Sequence, residues 1–383
     1  MSLFLLVIYS FIYTPKAPVI SAPPEYKPPV KDVPSVPDPN TFQSKRTIDV
    51  VEGMKSWTSD FNMYLDCQGN PEPAPENIPA TKIWALLAYA SMYDSTGDQM
   101  YIPKIRELEE SLYYIHGFFY RNSVKKDYPE WDYYGANLSQ ASFLSLKVMT
   151  DRMNAAYSLL KGKGVLKNEV LFEKMIVENG VGLSKMDVYV PQAQTASMIS
   201  TSLSATLPYM TDSGYSEAEK QKVSYEASYW ANESWRLSYA DNIERCWAIM
   251  AQYDYLKATG QSTTELATFF FAPIKETILT KEQVVAPVEL QPCMEVLYDL
   301  YKDSDGVKDN RQKKYLQNFV ELNNALLAET QLKPEECDGK QAFGLKVGAV
   351  GGDPNRVFLS DNAYQLYLIT RPELKDEVDV VIP

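Results

Sequence analysis

Two phrases place carboxylates and amides just ahead of an aromatic residue. "DNIERCW" begins at Asp241 and "DNAYQLY" at Asp361, so Asp-Asn precedes Trp247 and Tyr367 at the same spacing. Glu244 follows Asp241 by three positions, which puts both carboxylates on one face of a helix. Hydrolysis of a glycosidic bond needs two carboxyl groups, one as acid and one as base or nucleophile. Two on a single turn do not bracket a bond, so a partner must come from elsewhere: Asp94, Asp132 or Asp361. The same Asp241 and Asp361 also read as helix N-caps, with Asn242 and Asn362 in the first turn.

Asp132 lies in "YPEWDYYGAN", Tyr128 to Asn137, which interleaves Trp131, Tyr133 and further tyrosines with Glu130 and an amide. A flat apolar face beside hydrogen-bonding groups is what a sugar ring asks for. The expected catalytic residues are therefore Asp241, Glu244 and Asp132. The expected substrate contacts are Trp84, Trp131, Tyr133, Asn242, Trp247, Asp361 and Asn362.

Other chemistries lack their residues. His116 is the single histidine, so a triad or a histidine-rich metal cage would have to use it. Set among aromatics in "YYIHGFFY", it reads as a half-buried packing residue. Cys67, Cys246, Cys293 and Cys337 form no CxxC, so no zinc site is expected. Cys246, beside Trp247 on an apolar face, reads as a buried thiol, and the other three allow one disulfide with no pair singled out. "DSDG" at Asp303 fails the calcium-loop pattern, since its twelfth position would be Gln312. "GLKVGAVGGDPN" keeps neither the spacing nor the setting of a dinucleotide site. No cofactor and no metal are expected.

With 383 residues, 45% of them hydrophobic, the chain can bury a large core. Its net charge of −13 argues against nucleic acid as a partner, because phosphate recognition needs basic patches. The densest basic run, "RQKK" from Arg311, reads as a solvated helix turn. With 27 Tyr, 14 Phe and 6 Trp, the chain has aromatics to spare for a wet groove as well as for the core.

The elements that must position these residues are helical. About twelve segments carry apolar residues at three- and four-residue spacing, beginning with "SKRTIDVVEGMKSWTSDFNMYLD" and its Phe61 and Leu65. "LSQASFLSLKVMTDRMNAAYSLL" reads as one long helix ended by "KGKG". "EVLFEKMIVENG" reads as a helix ended by Gly180. Ser216 and Glu219 form a capping-box pattern. One β-like stretch, "AFGLKVGAVGGDPNRVFLS", reads as a Gly-rich loop or short β-hairpin near the C-terminus.

One phrase occurs twice. "TKIWALLAYASMYDSTGD" from Thr81 and "ERCWAIMAQYDYLKATGQ" from Glu244 align Trp84 with Trp247, Ala85 with Ala248, Ala88 with Ala251 and Gly97 with Gly260. The alanines, one turn apart, let a neighbouring helix come close. Thr-Gly ends each helix, because glycine takes the left-handed cap without a Cβ clash. The offset of 163 positions is far longer than the roughly 34-residue period of adjacent TPR-type repeats. It suits hairpins several units apart in one closed ring.

This phrase, with weaker copies in "LYDLYKDSDG" and "DNAYQLYLI", resembles the inner-helix phrase of the six-hairpin (α/α)6 toroid superfamily. The resemblance spans roughly residues 45–375 and implies an all-α toroid of antiparallel helical hairpins. It also implies a binding mouth at the inner-helix N-termini. That superfamily holds glycoside hydrolases, unsaturated-glycuronide hydrolases, sugar epimerases and polysaccharide lyases, and members with no known activity, so the fold leaves the function open.

Residues 1–14 read as an apolar anchor or signal-like segment, residues 15–40 as a Pro-rich extended linker, and residues 41–383 as the toroid. At about 1.5 Å per residue the apolar stretch is short of a roughly 30 Å hydrocarbon core. A hydrophobic plug followed by a stiff polyproline-type spacer is an arrangement that holds a body off a membrane. The sequons at Asn137 and Asn232 fit an extracytoplasmic location, secreted or membrane-anchored. Two readings follow. One is a surface-anchored protein acting on or binding an oligo- or polysaccharide. The other is a non-catalytic subunit of a membrane or extracellular assembly, with protein partners.

Overall fold

The computed structural model describes residues 64–65, 79–124, 146–186, 190, 192–211, 214–238, 244–263, 266, 287–303, 310–330 and 357–371. These all belong to the second of two units into which the chain divides, Asn40–Pro383. The apolar segment and the Pro-rich linker lie outside the described residues, as do Asp132, Trp131, Tyr133, Asp241 and Asn242.

The described elements, in order, are β1 (Tyr64–Leu65), α1 (Pro79–Thr96), α2 (Tyr101–Val124), α3 (Thr150–Leu160), α4 (Glu169–Leu183) and α5 (Ala193–Thr206). There follow α6 (Glu217–Leu237), α7 (Glu244–Ala258), α8 (Pro287–Asp303), α9 (Asn310–Thr330), β2 (Val357–Phe358) and α10 (Leu359–Ile369). A single 3₁₀ turn, Leu207–Met210, extends α5.

Six helices close a ring. α1 packs on α3, α3 on α5, α5 on α7, α7 on α8, α8 on α10, and α10 returns to α1. α2, α4, α6 and α9 lie outside this ring against their chain neighbours. Ring helices α7, α8 and α10 run in one direction: Cys246 meets Cys293 and, further along both, Tyr253 meets Asp303; Gln291 meets Asp361 and, a turn further along both, Glu295 meets Tyr364. Trp84, sixth in α1, meets Tyr364, sixth in α10, at 5.6 Å between ring centroids. Outer α6 runs the other way along α5: Ser234 Oγ donates to Ala193 O (2.9 Å) and Ser200 Oγ to Ala227 O (2.8 Å). A closed ring of parallel helices with antiparallel partners outside is the expected toroid.

The twin phrases fall on ring helices α1 and α7. Ala85, Ala88, Ala248 and Ala251 are all buried, as close helix approach requires. Gly97 and Gly260 have φ of 69° and 70°, and each preceding threonine hydroxyl donates one turn back, Thr96 to Met92 O and Thr259 to Tyr255 O. These are the left-handed caps read from Thr-Gly. The capping box at Ser216 and Glu219 also forms.

Four local expectations are corrected. Tyr64–Leu65 is not helical but pairs antiparallel with Val357–Phe358, with Tyr64 opposite Phe358 and Leu65 opposite Val357. The C-terminal β-like stretch therefore contributes a strand to a long-range pair; its Gly-rich part lies outside the described residues. The long helix before "KGKG" breaks at Met149. There Ser202 Oγ accepts from Asp151 N–H (3.1 Å) and donates to Val148 O (2.7 Å), so a side chain from α5 enters the backbone ladder. Gly180 does not end α4, which runs on to Leu183; a Cβ there would lie 1.9 Å from Thr206 Oγ1, so its role is close packing.

Cys246 is not a free thiol. It bonds to Cys293, joining neighbouring helices α7 and α8 at a Cα separation of 4.7 Å. The two lie 47 positions apart, and closing a loop of that length stabilises by about 4 kcal/mol on the chain-entropy account. Replacing both cysteines by alanine is expected to lower the urea midpoint accordingly. A loss under about 1 kcal/mol would show that packing, not the cross-link, holds α7 to α8.

Candidate functional site

The centre of the ring is built around Arg152, third residue of α3. Its Nε donates to Asp151 Oδ2 (3.0 Å) and its Nη1 to Glu295 Oε2 (2.8 Å) on α8. Its Nη2 meets Met250 Sδ (3.3 Å) on α7. The guanidinium stacks over Tyr364 of α10 at 4.4 Å and lies 6.0 Å from the Trp84 ring on α1. Asp151 reaches the sixth helix, accepting from Thr201 Oγ1 (3.1 Å) on α5. One arginine and its neighbouring aspartate thus touch every helix of the ring.

The charges of this network are set by that geometry. Burial, which alone would raise Glu295, is outweighed by Arg152, by the Tyr364 hydroxyl that donates to it, and by Arg371, so Glu295 stays below the usual carboxylate range. Burial pushes Asp151 upward despite Arg152. Burial would weaken Arg152 as a cation, but Glu295, Tyr364 and Asp151 hold it firmly protonated. A turn further along, burial pushes Asp299 up to about 7 against the pull of Arg371. Burial, with Glu295 and Asp299 nearby, keeps Asp254 protonated well above its ordinary range.

One turn towards the helix N-termini lies a different layer. Thr81 precedes Trp84 by three residues, Trp247 precedes Met250 by three, Gln291 precedes Glu295 by four, and Asp361 precedes Tyr364 by three. At those spacings each sits above a member of the central network on the same helix face. Four buried polar atoms here have no hydrogen-bond partner: Thr81 Oγ1, Trp247 Nε1, Gln291 Oε1 and Asp361 Oδ2. Trp247, Gln291 and Asp361 are all less than a tenth exposed. Gln291 and Asp361 are adjacent, since Gln291 Nε2 donates to Asp361 O (2.7 Å). Unsatisfied buried polar atoms are costly, about 1–3 kcal/mol each, so four of them in one layer of the ring call for an explanation.

Asp361 is the chemically distinctive member. Burial, eased slightly by Ser360 and reinforced by Glu289, raises its carboxyl from 3.8 to about 7. It is not an N-cap. β2 leads straight into α10, which starts at Leu359 and leaves Asp361 inside the first turn with one oxygen free. A carboxylic acid poised near neutrality with an unpartnered oxygen can give or take a proton, or hydrogen-bond a hydroxyl in either sense.

The other expected site residues are placed as follows. Trp84 is buried against Tyr364 and Arg152, and Trp247 is buried with only its indole nitrogen unsatisfied. Asn362 is buried beside Asp361. Glu244 is exposed at the first position of α7, at the same end of the ring as the unsatisfied layer. His116 is half-buried and joins two outer helices, bonding Asn179 Oδ1 (3.0 Å) through Nδ1 and Glu178 Oε2 (2.7 Å) through Nε2. Both of these partners are polar groups of α4.

Sequence reasoning missed Arg152, Asp151, Glu295, Gln291 and Tyr364. They are spread over α3, α8 and α10; Arg152 and Glu295 are 143 positions apart, and no local spacing marks the pair. It also missed the work of the Ser/Thr-rich α5. Ser197 donates to Trp247 O on α7, Ser200 to Ala227 O on α6, Thr201 to Asp151 on α3, and Ser202 to Val148 O just before α3. A run of small hydroxyls on a buried helix is the signal that could have found them. Among the described residues no group of three or more potential ligands could hold a metal ion, and no helix is long and apolar enough to cross a membrane.

The fold these helices make is the six-hairpin (α/α)6 toroid, and unsaturated glucuronyl hydrolases share it. A solved structure of UGL with dGlcA-Glc-Rha-Glc matches 88% of this chain and 96% of its own, at a TM-score of 0.58 and 13% identity. Another, an unsaturated glucuronyl hydrolase specific for heparin, matches 89% and 98% at a TM-score of 0.47 and 12% identity. No protein-family model and no curated protein sequence matches the chain. At 13% identity, the first of these shows a shared fold alone.

Proposed function

We propose that the protein is a carbohydrate-active toroid that takes an oligo- or polysaccharide at the N-terminal mouth of its ring. The observation that carries this reading is the layer of four unpartnered buried polar atoms on α1, α7, α8 and α10. Saccharide hydroxyls supply donors and acceptors at that density. The fold shared with a protein solved with dGlcA-Glc-Rha-Glc supports the same reading. In it, Asp361 is the proton donor and Glu244, exposed at the start of α7, supplies a second carboxyl. Asp241, Asn242, Asp132, Trp131 and Tyr133 remain proposed parts of the mouth.

The proposed location is extracytoplasmic, with the N-terminal segment as signal or anchor. The Cys246–Cys293 bond supports it, since such bonds persist in oxidising compartments. One observation favours the alternative of a non-catalytic platform: at the level of Arg152 the ring is filled by its own side chains.

Screening the purified protein against an oligosaccharide set by saturation-transfer NMR tests the choice. Binding is expected, with Asp361→Asn and Glu244→Gln each slowing any turnover at least a hundredfold while binding persists. Absence of saccharide binding across the set would overturn the carbohydrate reading and leave the platform.

A further inference from the structure

We propose that the saccharide unit seated against Gln291, Trp247, Thr81 and Asp361 is uncharged, a neutral hydroxyl-rich sugar rather than a uronate. The inference rests on the carbohydrate reading above and narrows its substrate class.

The unsatisfied atoms set the chemistry. Gln291 has already spent its Nε2 on Asp361 O and Gln365 Oε1, so what it offers is Oε1, an acceptor only. Asp361 Oδ2 is an acceptor when ionised and a donor or acceptor when protonated. Thr81 Oγ1 serves either way, and Trp247 Nε1 is a single neutral donor. Sugar hydroxyls, each donor and acceptor at once, satisfy all four. A uronate's carboxylate, placed against Gln291, has no proton to give Oε1 and would leave it unsatisfied, whereas a neutral sugar's hydroxymethyl in that position can donate.

Charge points the same way. Among the described residues, the charged neighbour that bears on Asp361 is Glu289, which reinforces the upward shift of its carboxyl. A uronate brought here would be buried beside two acidic groups and would need a cation of its own. Arg152, one turn below, is already engaged: Nε by Asp151, Nη1 by Glu295, Nη2 by Met250, and one face by Tyr364. Lys82 and Arg245, close in sequence to Thr81 and Trp247, each hold partners of their own. They also lie about 100° and 200° around their helices from those residues. Among the described residues, the guanidinium with unpartnered nitrogens is that of Arg371, ten residues beyond Asp361, roughly 15 Å along the helix direction and at the opposite end of the ring.

Isothermal titration calorimetry on the full chain separates the possibilities. The probes are a neutral tetrasaccharide and the same tetrasaccharide ending in a hexuronate, compared near neutral pH. The neutral probe is expected to bind at least tenfold more tightly. In Asp361→Asn the gap is expected to narrow about threefold or more, through a gain for the uronate. Equal affinities, or tighter binding of the uronate, would overturn the inference while leaving the carbohydrate reading intact. An unchanged gap in Asp361→Asn would overturn the role given to Asp361 in the selectivity. If neither probe nor any other saccharide binds, the carbohydrate reading fails and takes this inference with it.

Discussion

Replacing Arg152 with methionine is expected to lower the unfolding free energy by about 3–5 kcal/mol, among the largest losses any single substitution in the ring should cause. Methionine fills much of the same volume, so the effect isolates the charge. Removing the guanidinium leaves Asp151 and Glu295 buried with their shared cation gone, and strips the face of Tyr364 of its partner. It also cuts the one side chain that bonds or stacks against four other ring helices. A second substitution, Glu295→Gln, should recover part of the loss in the Arg152→Met background, because one stranded charge is then neutral. Urea denaturation of the two single variants and the double variant supplies the cycle. Strict additivity of the two changes would mean that Arg152 and Glu295 act independently, and the account of a shared central network would fail.

The second large effect is on pH dependence. In the folded chain burial raises the Asp361 carboxyl from 3.8 to about 7 and does the same for Asp299. Between those limits the folded state holds protons that the unfolded chain has released. Stability therefore falls as pH rises through this window, and the share due to these two groups levels off above about 7. From pH 5 to pH 8 each group should cost about 3 kcal/mol. Asp361→Asn removes its own contribution and leaves those of Asp299, Asp254 and Asp151, so the variant should lose about 3 kcal/mol of the decline and be the more stable protein at pH 8. Unfolding measured at both pH values, in wild type and variant, tests it. A variant whose stability declines as steeply as wild type would mean that Asp361 is ionised and solvated in the folded chain.

How much of this was legible depended on whether the signal was local. The Thr-Gly caps, the alanine faces of α1 and α7 and the capping box of α6 each rest on residues within one or two turns, and each formed as read. The repeated phrase carried the ring, because two copies of one helix type far apart imply equivalent places in a larger array. Gly180 shows where local reading stops. It was read as a helix end from its own conformational freedom, whereas Thr206, from another helix, needs the space its missing Cβ leaves. Asp361 reads from sequence both as a substrate contact and as an N-cap; the cap fails because the strand that starts α10 early pairs with residues almost 300 positions away. The Arg152 network and the Cys246–Cys293 bond join residues that become neighbours only once the ring is closed.

That closure sets an order of events during synthesis. The seam is made by α1 and α10, so the first ring helix described must wait for the last before its flank is covered. Until Leu359–Ile369 has emerged from the ribosome, Trp84 lacks Tyr364, and Glu295 lacks the Tyr364 hydroxyl. The half-made ring then exposes an apolar edge to other chains, a state in which long-range contacts are slow to form and aggregation competes. A nascent chain stopped before α10 should therefore be a chaperone client, and release of that client should coincide with the arrival of α10.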